Sequence, residues 1–244
     1  MLKVYRMRVL ALDSTTRAGS VALVENDVVI DERAGDGSRT HGVRLPAELA
    51  QLGAAWTTID VFAVASGPGS FTGLRIGIAT MQGLALVTKR LVAGISALDA
   101  LAQMASRHVA AGSLIASWID AQRGEVFSAL YRATAAPLFT PERLLPLEAA
   151  AVAGPEFTLR SWARYDLSCA VFAGDGALRY ASTIQAGCPG GQIATPALLA
   201  GALGRMAAAT MSSGLALSPA AIHPLYVRRP DVEIHREYTQ NGSP

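Results

Sequence analysis

A chain of 244 residues, 51% hydrophobic and 16% charged, has an ordinary globular composition with ample core, in one large or two small domains. Its 21 Lys and Arg against 19 Asp and Glu leave a formal charge of +2, which neither demands nor excludes a nucleic-acid partner, and 6% aromatic residues argue against a base-stacking platform. Cys169 and Cys188, with no C-x-x-C and no second pair, read as reduced thiols of a cytoplasmic protein.

Lys3, Arg6 and Arg8 precede an apolar run that stops at Asp13, too short for a secretory signal. No window of about 18 uncharged apolar residues is expected to span a membrane. Arg8 to Ser14 (RVLALDS) reads as a buried strand ending at Asp13, Thr15 to Gly19 as a turn, and Ser20 to Glu25 as a second strand. Asn26-Asp27 closes a hairpin into Val28 to Arg33. A polar loop with Gly35, Gly37 and Gly42 leads to a helix expected from Val43 to about Trp56, with Leu45, Leu49, Leu52 and Trp56 on one face and Pro46 in its first turn.

Val61 to Ala65 is a buried strand, Ser66-Gly67-Pro68-Gly69-Ser70 a loop, and Phe71 to Thr88 a helix. The loop is compatible with a tight turn or with an anion cradle at a helix N-terminus. It is neither G-x-x-x-x-G-K-[ST] nor G-x-G-x-x-G, and Pro68 removes one N–H from any cradle. The helix carries Gly73, Gly77 and Gly83, each costing roughly 1 kcal/mol against alanine. Gly73, Gly77, Thr80, Met81 and Leu84 share one face, with Ile76, Gly83 and Val87 beside it, and only Arg75 and Gln82 mark a polar stripe. A helix so apolar must be covered on a second side, by this chain's own next layer or by a partner. Leu91 to Ile95 follows as a strand, and Ser96 caps a helix through Leu98, Leu101 and Met104.

Near residue 110 the pattern restarts. Leu114 to Asp120 is a strand ending in an aspartate, Ala121 to Gly124 a turn, and Glu125 to Arg132 the returning strand. Cys169 to Ala173 then leads into Gly174-Asp175-Gly176 and a helix, mirroring Val61 to Gly69. Asp13 to Gly67 and Asp120 to Gly174 both span 54 positions, which indicates a duplicated unit. Between these matches, residues 133–170 lack a strong helical period and carry Pro137, Pro141, Pro146 and Pro155, so the second unit looks eroded. Thr195 to about Ser213 reads as an Ala/Leu-rich helix, and residues 223–238 as a polar basic tail. That tail is either solvated or an arm with Arg228, Arg229 and Arg236 near phosphates.

Two linked units, each opening on a hairpin after an aspartate, point to an α/β actin-like/Hsp70-like ATPase fold of two duplicated ribonuclease-H-like lobes, the second reduced. The expected lobes are 1–108 and 109–244. Asp13, Ser14, Thr15 and Thr16 stand where the first phosphate hairpin would be, and Asp120, Gln122 and Gly124 at the second. The plainer alternative is that Asp13 and Asp120 only satisfy turn N–H groups. His41, His108, His223 and His235 include no pair four apart, and there is no H-E-x-x-H, so no zinc-protease or metal site is expected.

The segments LALDSTTRAGSVAL (10–23), ASGPGSFTGLRIG (65–77), DAQRGEVFSALY (120–131), AGDG (173–176) and PLYVRRPD (224–231) resemble the TsaB (YeaZ) family. That resemblance implies a non-catalytic dimerisation subunit of the bacterial complex that makes threonylcarbamoyladenosine in tRNA. It implies pairing with the catalytic paralogue TsaD, with the ATPase TsaE binding the pair and tRNA engaged indirectly. By the same resemblance, Ser70, Phe71, Thr72, Gly73, Arg75, Ile76, Gly77 and Thr80 are expected at the partner interface, or at a homodimer interface when the chain is alone. No cofactor is expected in the isolated chain, with ATP or ADP and magnesium held at the level of the complex. The family often shows a His-Ser-Glu triplet before its first long helix; here the stretch is His41-Gly42-Val43-Arg44. The competing reading is an autonomous ATPase or small-molecule kinase built on Asp13 to Thr16 and Gly174 to Gly176.

Overall fold

The computed structural model describes residues 6–195, 197–212 and 218–228. Strands β1 (Arg8–Asp13), β2 (Ser20–Glu25) and β3 (Val28–Ala34) form an antiparallel meander. After helix α1 (His41–Gln51), β4 (Val61–Gly67) joins β1 in parallel, and helix α2 (Phe71–Thr88) crosses to β5 (Leu91–Ser96). The sheet order is β3-β2-β1-β4-β5. β1 and β4 show no polar alternation because both faces are covered. Leu10, Leu12, Phe62 and Val64 meet Leu45, Leu49, Ile78 and Met81 of α1 and α2 on one face.

Helix α3 (Ala97–Ala105) connects to the second sheet. There β6 (Leu114–Asp120), β7 (Val126–Ala133) and β8 (Leu144–Ala153) repeat the meander. Helix α4 (Pro155–Ser161) leads to β9 (Val171–Ala173), then α5 (Asp175–Arg179), α6 (Ala181–Gly187) and β10 (Gln192–Ile193). The order β10-β9-β6-β7-β8 matches the first sheet strand for strand, as the equal 54-residue spacing implied. Trp118, Leu130 and Phe172 pack its outer face against Leu159, Trp162 and Ile184. A joint core between the sheets holds α3: Ser117 Oγ donates to the Leu98 carbonyl at 2.8 Å, and the Tyr131 hydroxyl donates to Asp99.

Helix α7 (Ala200–Ser212) lies in that same joint core, against Val9, Ala11, Ala22 and Val24 of the first sheet. Its N-terminal amides are taken up by the first sheet. Ser20 Oγ accepts from Leu199 and Ala200, and Glu32 accepts from Gly201 at 2.7 Å.

Three expectations need correction. Helix α1 begins at His41 and stops at Gln51, so Pro46 lies beyond its first turn. Gly53, at φ +65°, turns the chain out of the helix, and Trp56 enters a separate 3-10 turn. The stretch 133–170 contains the ten-residue strand β8. Among the described residues β8 pairs only with β7, and an edge strand tolerates Pro146 where a central one would not. Finally, α7 starts at Ala200, five residues after the expected Thr195. Arg229, His235 and Arg236 lie outside the described residues.

Candidate functional site: helix α2 and the cleft at its N-terminus

Helix α2 has three sides. Its N-terminus is fixed by Ser70, whose hydroxyl accepts from Gly73 N at 3.2 Å and whose own amide donates to the Thr15 carbonyl at 2.7 Å. The glycine side faces inward. A Cβ at Gly73 would stand 2.1 Å from the Ser14 carbonyl oxygen, and one at Gly77 would stand 2.1 Å from Ser14 Oγ. The small residues therefore let α2 settle onto the end of β1, and the layer that covers them is the chain's own. Gly73 and Gly77 are buried and present no surface to a partner.

The second side is covered by the segment 218–228, which includes the first residues of the expected tail 223–238. Gln82 Nε2 donates to the carbonyls of Pro219 and Ile222 at 2.7 and 3.0 Å. Ile222 is buried, and the Leu225 amide donates to the Ser66 carbonyl at 2.7 Å. Arg75 Nε donates to the Tyr226 hydroxyl at 2.9 Å and stacks 3.9 Å over the Phe71 ring, which itself lies 5.1 Å from Tyr226. Arg75 and Gln82 are seven residues apart on one helix face. That stripe is an anchor line for the chain's own C-terminal segment.

Among the described residues the third side is open. Leu86 is 65% and Val87 85% exposed, beside exposed Ala79 and Gly83. Val43 of α1, 63% exposed, lies near this side, since a Cβ at Gly42 would come within 4.0 Å of Ile76 Cδ1. Of the eight expected interface residues, Ser70, Phe71, Thr72 and Arg75 are exposed, Ile76 and Thr80 half-buried, and Gly73 and Gly77 buried. Ala79, Leu86, Val87 and Val43 are exposed as well and are not among those eight. By length and composition α2 also passes as a membrane-spanning helix, because Arg75 is the only charge within Phe71–Thr88. Here its inner side packs on the sheet instead.

At the N-terminus of α2 a cleft of about 1050 Å³ separates the two hairpin turns. Thr15, Thr16 and Arg17 line one wall, and Asp120 to Arg123 with Asp175 the other. Asp13 is 3% exposed and lies beneath the wall, accepting from both the amide and the hydroxyl of Thr15 at 2.8 and 2.6 Å. Burial pushes its carboxyl above the ordinary range, against the pull of those two hydrogen bonds. Ser14, the second member of the expected hairpin, is fully buried under α2. Asp120 accepts from Gln122 and from Arg179 at 3.0 Å. Asp175 accepts from the amides of Asp120 and Gly176, and burial raises its carboxyl too.

The first turn is held from behind by His41 and Arg44. His41 Nε2 lies 3.1 Å from the Thr16 carbonyl and Nδ1 2.7 Å from Arg44, whose guanidinium also donates to the Ala18 carbonyl and pairs with Glu48. Burial, then the Arg44 charge, lowers the His41 pKa, so the neutral ring donates at Nε2 and accepts at Nδ1.

For a magnesium nucleotide, the first turn offers a loop and a carboxylate that are already engaged. Gly69 packs directly on Thr15, where an added Cβ would come 2.5 Å from Thr15 Cβ, so the glycine loop holds the turn where it would have to hold phosphate. Asp13 Oδ1 is taken by its own turn. Among the described residues no three His, Cys, Asp or Glu converge to hold a metal.

The repeated sheets, the α3 connection and the cleft between paired hairpin turns define a two-lobed α/β protein of the actin-like class. A family model described as TsaD, tRNA N6-adenosine threonylcarbamoyltransferase, matches residues 37–151. The chain is 41% identical over 130 residues to the tRNA threonylcarbamoyladenosine biosynthesis protein TsaB of Escherichia coli, and 35% identical over 130 residues to that of Bacillus subtilis. Each match covers 52% of this chain and 55% or 56% of the relative, about half the length of these curated proteins. Over the whole fold it is similar to a solved structure of YeaZ from Pseudomonas aeruginosa, with TM-score 0.72, 29% identity, and coverage of 90% of this chain and 99% of that one. In sequence over half of its length, and in fold over most of it, the chain is similar to TsaB/YeaZ proteins.

Proposed function

We propose that this chain is a non-catalytic subunit in the biosynthesis of tRNA threonylcarbamoyladenosine, acting in the cytoplasm by docking on a TsaD-type paralogue, with a TsaE-type ATPase engaging the pair. One observation carries the reading: α2 buries its glycine side on β1 and bonds its polar stripe to residues 218–228, yet among the described residues nothing covers Ala79, Gly83, Leu86 and Val87. A contiguous apolar strip of that kind marks a protein interface. The names of the relatives and the TsaD family match support the choice of pathway and partner. The same strip serves for self-pairing when the partner is absent.

Catalysis and nucleotide binding belong to the partner on this reading. ATP or ADP with magnesium is used at the level of the complex, and tRNA is contacted through it. The autonomous-kinase alternative is the less favoured reading, because Asp13 and Ser14 are buried.

The test is Val87→Glu. Titration against the TsaD-type protein from the same source, followed by size exclusion with light scattering, is expected to show a one-to-one complex for the parent chain and at least about a hundredfold weaker binding for the variant, as for a desolvated charge at an interface centre. Val87 is 85% exposed, so the variant folds. Parental affinity in the variant overturns this placement of the interface, and no complex with the parent chain overturns the function.

A further inference from the structure

Residues 218–228 do more than cover α2. They run beside the first lobe from Gln82 to Ser66, pass Arg75 and Phe71, and end on the second lobe. There Arg228 NH1 donates to the Ala121 carbonyl at 2.8 Å and NH2 to Glu125, with the guanidinium 5.6 Å from the Phe127 ring. Ala121 and Glu125 are the two ends of the second hairpin turn, joined by the Ala121 amide donating to the Glu125 carbonyl. Leu225 to Arg228 line the cleft. Further hydrogen bonds tie α3 and the turn after it to the second lobe, among them Ser117 to Leu98, Tyr131 to Asp99, Gln103 to Thr140 and Arg143 to Ser106, and none of these residues lines the cleft.

We propose that residues 222–228 are a strap that fixes the width of the cleft, with Arg228 as its latch on the turn 121–125. The lobes share a continuous apolar core at α3, which serves as the hinge, and the strap ties them on the opposite side. Hinged lobes move unless a contact beyond the hinge holds them. The strap supplies that contact through a charge-assisted pair and a main-chain bond, and both are lost if the guanidinium is removed. Its other anchors, Arg75 and Gln82, sit on α2, so the cleft and that helix are mechanically joined.

Hydrogen exchange and an interlobe distance measurement test this on the full chain. Spin labels go on the native exposed Cys169 of the second lobe and on Arg39→Cys at the cleft wall of the first. With Arg228→Ala, amides of residues 121–127 are expected to exchange on the order of tenfold faster, as for loss of a hydrogen-bonded charge pair. The distance distribution broadens toward longer separations, and Glu125→Gln shows the same change at smaller size. Arg33→Ala, which removes an exposed ion pair with Asp31 within β3, leaves both readouts at parental values. Unchanged exchange and distance in Arg228→Ala overturn the proposal. Uniformly faster exchange across both lobes overturns it too, because Arg228 would then be a general stabiliser.

Discussion

Replacing Gly73 by alanine places a methyl carbon 2.1 Å from the carbonyl oxygen of Ser14. Ordinary van der Waals contact begins near 3.4 Å, so the main chain at the end of β1 or the first turn of α2 must move. Overpacking of this kind costs about 1–3 kcal/mol, and a main-chain obstacle belongs at the upper end. Helix propensity returns up to about 1 kcal/mol for leaving glycine, so the expected net loss is about 2 kcal/mol. For a chain of this size that lowers the melting midpoint by about 4–8 °C. Gly83 is the internal control, since an added Cβ there meets nothing within 4 Å. Gly83→Ala is expected to stabilise by about 0.5–1 kcal/mol, a rise of about 2–4 °C at most. Gly77→Ala meets Ser14 Oγ at 2.1 Å and Cβ at 3.0 Å, so pairing it with Ser14→Ala relieves most of its cost. The same partner change does nothing for Gly73→Ala, whose obstacle is main chain. Urea unfolding followed by circular dichroism reads all five proteins. Equal stabilities for Gly73→Ala and Gly83→Ala would refute the inward placement of the glycine face.

The two pH expectations carry opposite signs. Burial and Arg44 lower the His41 pKa in the folded state, so its contribution is fully present above about pH 6.5 and lost as pH falls toward the lowered value. Unfolding midpoints between pH 7 and 5 should drop more steeply for the parent than for His41→Gln, and parallel profiles would remove the histidine from the turn's support. Asp13 has a raised folded value, so its contribution is present below about pH 3.9 and lost as pH rises through the folded pKa. The stability of Asp13→Asn relative to the parent should therefore improve from pH 4 to pH 8; a difference independent of pH would show that Asp13 is not desolvated.

The strands were readable because apolar runs with tight turns between them leave few alternatives. Val9 to Leu12 and Val61 to Ala65 are buried on both faces and carry no polar residue. β8 escaped because Pro146 and its run of small residues resemble a loop, and its position at a sheet edge, which makes the proline harmless, exists only once the sheet is assembled. The site was half legible. The need to cover α2 was visible, but its cover was not: Arg75 and Gln82 find their partners 151 and 137 residues further on. A seven-residue polar spacing is the same whether it meets solvent or a strap. The eight expected interface residues divided for a related reason, since Gly73 and Gly77 owe their smallness to Ser14.

The capture of α7 by Ser20 and Glu32 bears on how the protein is made. The helix fills the inner face of the first sheet, with Gly204 so close to Val24 that an added Cβ would come within 2.5 Å. A ribosome that has released the first hundred residues has therefore delivered a sheet with one face still wet. Every strand of the second sheet must be synthesised before the helix that dries it emerges. The two lobes cannot mature in succession, as successive domains ordinarily do during translation; the one begun first is also finished last.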